Sequence, residues 1–236
     1  MTAGEAGGGD ELAQRFELPP GSGARLDRLQ HLLASDPQAP TAVREPQRIL
    51  DDHLADSLVA LELEAVRSAG SVVDVGSGAG LPGLPLAIAL PRARFTLVES
   101  SSRKCEFIAR AVTACGLENV DVVDARIEEW ADGRGGFEVA LARALAPLEV
   151  VIEYGAPLLR IGGELIAWRG RRDSGAEDRA AHAADLLGLR PGEVRRVKPY
   201  EVARARHLHL FSKVMDTPAG FPRRPGVASK RPLGAT

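Results

Sequence analysis

The sequence contains only two cysteines and no long apolar run. Cys105 and Cys115 lie ten positions apart in one predicted helix and on different faces of it, so they cannot form a disulfide with each other. Two isolated thiols are typical of the reducing cytoplasm and do not indicate a metal site. No apolar run approaches the roughly 20 residues of a membrane span, and residues 1–11 lack the basic and apolar segments of a secretory signal. We therefore expect a cytoplasmic protein without a metal or a membrane anchor.

Charge is distributed unevenly along the chain. The formal net charge is −2. Residues 190–236 nevertheless hold 11 Lys and Arg against 3 Asp and Glu, whereas the rest of the chain holds 19 against 29. A basic C-terminal quarter on an acidic body predicts binding to a polyanion such as RNA. The alternative is that the basic residues form only a solvated end.

The stretch Ser71–Gly83 organises the rest of the sequence. It opens with the β-branched apolar residues Val72, Val73 and Val75, which favour a strand buried on both faces of a parallel sheet. Glycines follow at alternate positions, and residues 84–90 then have the composition of a helix. A strand that enters a helix through a glycine-rich turn brings backbone N–H groups close to a ligand. The turn therefore predicts a site for a nucleotide-type cofactor.

The residues around the turn bear on which cofactor it binds. Gly78 to Gly83 match the dinucleotide pattern Gly-x-Gly-x-x-Gly, but the glycines already begin at Gly76. A carboxylate at Asp74 would repel a pyrophosphate and suits a cofactor with a cationic amino-acid end. Glu99 ends the next predicted strand and can accept hydrogen bonds from a ribose, which fits either cofactor. The whole pattern resembles the S-adenosylmethionine site of the class I methyltransferases.

The chain divides into four predicted regions. Residues 1–22 are predicted to be disordered, because they are rich in glycine, proline and acids. Residues 23–70 form a helical extension with helices over 24–34 and 47–67. Residues 71–215 form the methyltransferase domain, and residues 216–236 form a basic tail.

Strands and helices alternate through the predicted domain, which indicates a doubly wound, mostly parallel sheet of the Rossmann-like kind. Strands are predicted over 71–75, 94–98, 119–123, 137–141 and 163–168, with a closing antiparallel pair over 193–198 and 207–214. The following residues come directly after strand ends: Gly76, Glu99, Asp124 to Glu128, Arg143 and Arg169. Because ligands bind at the carboxyl ends of such strands, we expect these side chains to converge on one edge.

A polar group lies on the predicted helix 47–67. His53, Asp56 and Ser57 share one face, because they stand at i, i+3 and i+4. A local salt bridge or capping contact is one interpretation, and a role at the active site is the other.

Several motifs together resemble one family, the bacterial methyltransferase G of small-subunit (16S) ribosomal RNA, also called glucose-inhibited division protein B. The resemblance spans roughly residues 41–233. It rests on residues 41–46, 53–57 and 74–83, on Lys104, and on residues 126–128, 142–144, 206–208 and 221–226.

The resemblance implies methylation of guanine N7 in a decoding-region loop of 16S rRNA, with S-adenosylmethionine as the donor. We expect a monomeric enzyme that acts on 16S rRNA within the 30S subunit, with naked rRNA as the alternative substrate. It implies that the cofactor is bound by Gly76, Gly78, Leu81, Glu99, Ile127, Glu128 and Arg143. Among these, Glu99 would hold the ribose, and Ile127 and Glu128 the adenine. Arg143 would lie between cofactor and guanine. His53, Asp56 and Ser57 would face the mouth of the site. The predicted catalytic group is therefore Arg143, His53 and Asp56.

Other functions remain open on the sequence alone. One is a class I methyltransferase for another RNA or a small molecule. A second is an NAD-linked oxidoreductase, which the late position of the Gly-x-Gly-x-x-Gly pattern disfavours. A third is a non-catalytic RNA-binding factor of ribosome assembly that uses the fold as a scaffold.

Overall fold

The N-terminal region of the computed structural model is folded from residue 7 onward; the structure describes residues 7–234. Helix α1 (Gly8–Arg15) packs against helix α2 (Ser22–Ser35). A Cβ atom at Gly9 would collide with the carbonyl oxygen of Gly23, so glycine is what lets the two helices approach. The Gly9 N–H also donates to Asp27 Oδ1 at 2.7 Å. The predicted disorder of residues 1–22 is therefore wrong for 7–22, while residues 1–6 lie outside the described part.

The predicted helix 47–67 is continuous only to residue 62 and is irregular. It comprises α3 (Pro46–Ile49), a π-helical stretch (Leu50–Ala55), α4 (Asp56–Leu58) and a 3₁₀ stretch (Val59–Glu62), and α5 (Glu64–Arg67) follows separately. The Glu45 carboxylate caps the first turn by accepting from the N–H groups of Gln47 and Arg48. Wider π-helical turns are rare and often occur at functional sites, and His53 lies within this one.

The domain is built on seven strands. They are β1 (Ser71–Val75), β2 (Arg94–Glu99), β3 (Val120–Asp124), β4 (Phe137–Arg143), β5 (Leu159–Arg169), β6 (Leu189–Arg196) and β7 (His207–Lys213). The helices among and after them are α6 (Gly83–Ala89), α7 (Ser102–Cys115), α8 (Leu148–Gly155) with a 3₁₀ turn (Ala156–Leu158), α9 (Ser174–Leu186) and α10 (Val227–Lys230). The predicted alternation of strands and helices is confirmed.

The strand order is β3-β2-β1-β4-β5-β7-β6. The first five strands are parallel, and β7 and β6 close the sheet as the predicted antiparallel pair. The order reverses between β1 and β4, which is where such sheets open a crevice for ligands at the carboxyl ends of the strands. Apolar side chains fill both faces of the sheet.

The predicted basic tail is folded onto the domain over its described residues. Ala228 of α10 is fully buried in the core on the α8 and α9 side, and Phe221 and Leu233 pack against that core. Arg223 forms an ion pair with buried Glu153 of α8. The cysteines are free thiols, as expected. Within residues 7–234, none of the helices combines the length and the apolar character needed to cross a membrane.

Candidate active site

The glycine turn after β1 packs closely against Leu145 at Gly76 and leaves open space at Gly78. Gly76 and Gly78 both have positive φ angles, of 69° and 60°. A Cβ at Gly76 would collide with the Leu145 side chain. One at Gly78 would meet, in the part of the chain that the structure describes, nothing nearer than the Gly76 carbonyl oxygen at 4.0 Å. Gly78 also lines a cavity of about 410 Å³. The turn therefore keeps this cavity open by lacking a side chain.

Asp74 supports the turn from behind. Its Oδ2 accepts a hydrogen bond from the Gly83 N–H at 2.9 Å, while Oδ1 is buried without a hydrogen-bond partner among the described residues. The side chain is buried and does not line the cavity. The expectation that this carboxylate faces the cationic end of a cofactor is therefore wrong; Asp74 joins the end of β1 to the start of α6.

We expect the variant Asp74→Asn to be more stable than the wild type at pH 8, by about 1–2 kcal/mol. Burial, the largest cause, raises the pKa of Asp74 from its usual 3.8 to about 7. Because the folded state holds this proton more tightly than the unfolded state, its contribution to stability is complete below about pH 4 and is lost as the pH rises through 7. Urea unfolding from pH 4 to pH 8 measures the free energy of unfolding of both proteins. The difference between variant and wild type should grow with pH. A constant difference would contradict a buried, titrating Asp74.

All seven residues predicted to bind the cofactor line one of two adjoining cavities. The larger cavity is lined by Gly76, Gly78, Leu81, Glu99 and Arg143. A smaller one of about 150 Å³ is lined by Ile127 and Glu128, and both cavities share Gly76. The side chains that follow the strand ends thus converge on one edge of the sheet, as expected.

Glu99 fixes the turn to the end of β2. Its Oε2 accepts from the Gly78 N–H at 3.0 Å, and its Oε1 accepts from the N–H groups of Ser100 and Ser101. Lys104 Nζ stands 3.5 Å from Oε2. The carboxylate is thus held by backbone donors at the wall of the larger cavity, where its remaining lone pairs can accept from hydroxyl groups.

A third cavity, of about 600 Å³, opens on the other side of Arg143. It shares His53, Arg143 and Ala144 with the larger cofactor cavity. Its wall includes Trp168 and Arg169 at the end of β5. A group bound in the third cavity therefore meets a group bound in the cofactor cavity at Arg143.

Asp56 orients Arg143. Arg143 Nη1 donates to Asp56 Oδ2 at 2.9 Å and to the Asp52 carbonyl oxygen at 3.2 Å. Arg206 Nε donates to Asp56 Oδ1 at 3.2 Å, and Trp168 Nε1 donates to the Asp56 carbonyl oxygen. Local salt bridging within the helix is thereby excluded as the role of Asp56. Asp56 is thus the carboxylate partner of Arg143.

His53 lies between the cavities, and no carboxylate of residues 7–234 is its hydrogen-bond partner. Its Nε2 hydrogen-bonds Thr41 Oγ1 at 2.8 Å, and its Nδ1 is buried with no hydrogen-bond partner in the described part of the chain. Burial, followed by the positive charge of Arg143, lowers the pKa of His53 below its usual 6.5. The ring is therefore neutral near pH 7. Ser57, expected beside it, is fully buried and donates to the His53 carbonyl oxygen, so it does not face the mouth.

Sequence reasoning missed three features of this site. Ala144 has a φ of 53°, a left-handed conformation that costs an alanine about 1 kcal/mol or more, and it turns the chain so that Arg143 and Leu145 both line cavities. Tyr154 donates its hydroxyl to Glu128 Oε1 at 3.2 Å. Arg206, the residue directly before β7, forms an ion pair with Asp56. Ala144 and Arg206 had a signal, because both lie in motifs of the resemblance, whereas Tyr154 had none.

Solved structures of methyltransferases share the fold at low sequence identity. The 16S rRNA (adenine(1408)-N(1))-methyltransferase W203A mutant from Catenulisporales acidiphilia matches with a TM-score of 0.53 and 17% identity over 66% of this chain and 90% of that one. Fibrillarin from Aeropyrum pernix, solved with natively bound S-adenosyl-L-methionine, matches with a TM-score of 0.53 and 17% identity over 66% of this chain and 72% of that one. They establish the class I methyltransferase fold that the sequence predicts.

Closer relatives carry one name. The Ribosomal RNA small subunit methyltransferase G of Rubrobacter xylanophilus is 43% identical over 80% of this chain and 75% of its own length. That of Syntrophomonas wolfei is 43% identical over 78% of this chain and 86% of its own. The family model GidB, rRNA small subunit methyltransferase G, matches residues 31–207. The predicted resemblance is confirmed: the chain belongs to the rRNA small subunit methyltransferase G family.

Proposed function

We propose that this protein transfers a methyl group from S-adenosylmethionine to N7 of a guanosine in 16S ribosomal RNA. The observation that carries the proposal is the meeting of two cavities at Arg143, one against the glycine turn and one rimmed with arginines. The family name gives small-subunit rRNA as the substrate of the relatives. Membership of this family favours an enzyme over the alternatives of an NAD-linked oxidoreductase and a non-catalytic scaffold.

The residues present fit the proposed cofactor. Gly78 leaves space where a side chain would enter the larger cavity, and Glu99 offers carboxylate lone pairs to ribose hydroxyls. Ile127 and Glu128 provide an apolar contact and an acceptor for an adenine in the smaller cavity. When bound, the cofactor supplies an electrophilic methyl group on a sulfonium. The protein's own part is to hold the two reactants in line and keep water out.

The third cavity fits a guanine that has left its stack. Trp168 and Leu148 give it apolar surface, and Arg169 and Arg143 present guanidinium donors at its wall. An arginine can donate to guanine O6, which orients the base while the N7 lone pair attacks. N7 is unprotonated at neutral pH, so the attack requires no proton to be removed. Arg143 is therefore a positioning group at the point of transfer, and Asp56 holds it there.

Exposed arginines around this cavity suit the phosphates of an RNA substrate. Arg171 lines the cavity and is exposed, and Arg196 ends β6 next to His207, which pairs across the sheet with Arg169. Other basic residues of the C-terminal quarter are already engaged within the protein, namely Arg206 with Asp56 and Arg223 with Glu153. These two arginines are therefore not free to bind phosphates, and we assign RNA binding at the active-site rim to the exposed Arg171 and Arg196. We place the reaction in the cytoplasm, on the 30S subunit, with a monomeric enzyme.

We expect labelled methyl groups to pass from S-adenosylmethionine to one guanine of 16S rRNA when the protein is incubated with 30S subunits. Mapping the labelled nucleotide, in parallel with naked 16S rRNA, tests the substrate and its context together. Label on an adenine, a cytosine or a small molecule would favour another class I methyltransferase activity. No transfer to either RNA, in protein that binds S-adenosylmethionine, would contradict the proposal.

We expect the rate of methyl transfer to be nearly independent of pH from about 5 to 8.5, because no base is needed. If His53 were a base, the rate would fall about tenfold per unit below its pKa, and burial places that pKa below 6.5. Single-turnover rates at saturating cofactor and 30S subunits measure the chemical step. The variant His53→Gln should keep the flat profile, with His31→Gln, an exposed histidine on α2, as the control. A unit slope in the wild type that disappears in His53→Gln would contradict the positioning mechanism.

A further inference from the structure

The C-terminal segment 221–234, here named the C-terminal strap, is anchored to α8 by charge and by packing. Arg223 donates to both carboxylate oxygens of Glu153, and its backbone N–H donates to the same group at 2.9 Å. Glu153 is fully buried, so the hydrogen bonds from Arg223 replace those that its carboxylate made to water before folding. Ala228, in the same strap, is fully buried in the core. The strap is therefore an integral part of the domain, although it lies beyond the residues 31–207 that the family model matches.

The strap touches the wall of the smaller cofactor cavity at one group. The Gly226 N–H donates to Glu128 Oε1 at 3.2 Å, and Tyr154 of α8 donates its hydroxyl to the same oxygen at 3.2 Å. Glu128 lies in the loop after β3, with no helix or strand of its own to fix it. Two donors on one oxygen set the direction of the carboxylate. Among residues 7–234 no hydrogen bond is formed to the other oxygen, Oε2, which remains available to a ligand.

We propose that the C-terminal strap is a positioning element for the cofactor: by docking on α8 it holds the Glu128 carboxylate in the orientation that receives the adenine. This rests on the proposed function, which assigns the smaller cavity to the adenine. Strap docking and cofactor binding both act on one carboxylate, so each strengthens the other by the same factor. Arg223 acts through Gly226 and Glu128, and it does not touch the cofactor.

The first test uses the unaltered protein. Saturation with S-adenosylhomocysteine, the demethylated product, should slow hydrogen exchange of the Gly226 amide at least about threefold, because the ligand stabilises the group that this N–H binds. Amides of helix α2, which lies outside the cofactor cavities, provide the reference. An unchanged Gly226 exchange rate at saturation would overturn the proposal, whatever the behaviour of the variants.

The second test is a double-mutant cycle on S-adenosylhomocysteine affinity by calorimetry. Glu128→Gln and Arg223→Ala should each weaken binding about fivefold or more, since each disturbs one charged hydrogen-bonded group. The double variant should be no weaker than Glu128→Gln alone, because Arg223 acts only through Glu128. If Arg223→Ala weakened binding only by disrupting the fold, its loss of affinity would add to that of Glu128→Gln in the double variant. Arg224→Ala is the matched control: it is the exposed neighbour of Arg223, and it should bind as the wild type does.

The outcomes separate the two proposals. Unchanged affinity in Glu128→Gln would contradict the adenine assignment of the proposed function, and the strap proposal with it. Weakened binding in Glu128→Gln with wild-type affinity in Arg223→Ala would overturn the strap proposal alone, as would additive losses in the double variant. If Arg223→Ala does not fold because Glu153 is left unpaired, the exchange experiment on the wild type decides.

Discussion

The variant Gly78→Val should lose at least about a hundredfold in affinity for S-adenosylhomocysteine, equivalent to about 2.8 kcal/mol. Gly78 lines the larger cofactor cavity. Among residues 7–234, the only atom within 4 Å of the position of its missing Cβ is the Gly76 carbonyl oxygen, at that limit. A valine side chain would therefore extend into the space that the ligand needs. Its branched Cβ would also strain the turn, whose φ at this residue is 60°. Calorimetry on the purified variant measures the loss.

The control for this variant must carry the same backbone strain. Gly116, at the end of α7, has the same φ of 60°, and a Cβ there would meet no atom of the described chain within 4 Å. Gly116→Val should therefore lose a similar amount of stability, about 1–3 kcal/mol, and bind S-adenosylhomocysteine as the wild type does. Wild-type affinity in a folded Gly78→Val variant would show that the glycine turn does not bind the cofactor.

The parts of the site that follow from local sequence could be predicted. The β-branched residues of β1 predict a buried strand, and the glycines after it predict a tight turn. Together they place the cofactor turn at the end of the first strand. The meeting of Glu99, Ile127, Glu128 and Arg143 at one edge follows from a rule of topology, because residues after parallel strands lie together there. Their separate roles toward the cofactor come from the family resemblance.

The parts that depend on distant contacts could not be predicted. Asp56 and Arg143 are 87 residues apart in sequence, and nothing local marks them as partners. The left-handed conformation of Ala144 is imposed by its surroundings against the preference of an alanine. The glycines near the N-terminus have a composition typical of disorder, whereas in the structure Gly9 permits the close packing of α1 on α2. In each case the sequence pattern is compatible with several structures, and tertiary packing selects one.

The variant Arg143→Lys should reduce the single-turnover rate of methyl transfer, at saturating cofactor, by about 10²- to 10³-fold. Both hydrogen bonds of Arg143 to Asp56 and Asp52 use Nη1, which leaves the other two guanidinium nitrogens out of these bonds, and Arg143 lines both cavities. A lysine can form the ion pair with Asp56 but has one nitrogen where arginine has a planar fork. The base would then be bound without being aligned, and misalignment acts on the chemical step. Rapid-quench measurement with 30S subunits and labelled cofactor gives the rate.

A matched exchange far from the site shows whether the loss is specific to Arg143. Arg160 pairs with Glu138 at 3.0 Å, and both residues lie near the amino ends of their strands, opposite the active-site edge. Arg160→Lys makes the same chemical change in an ion pair and should leave the rate within about twofold of the wild type, because exposed pairs contribute little. Arg143→Lys should also retain the wild-type melting temperature within a few degrees, since the charge that faces Asp56 is kept. Equal rates in the two variants would remove Arg143 from the alignment of the guanine, and the task would then fall to Arg169, the other guanidinium at the wall of the same cavity.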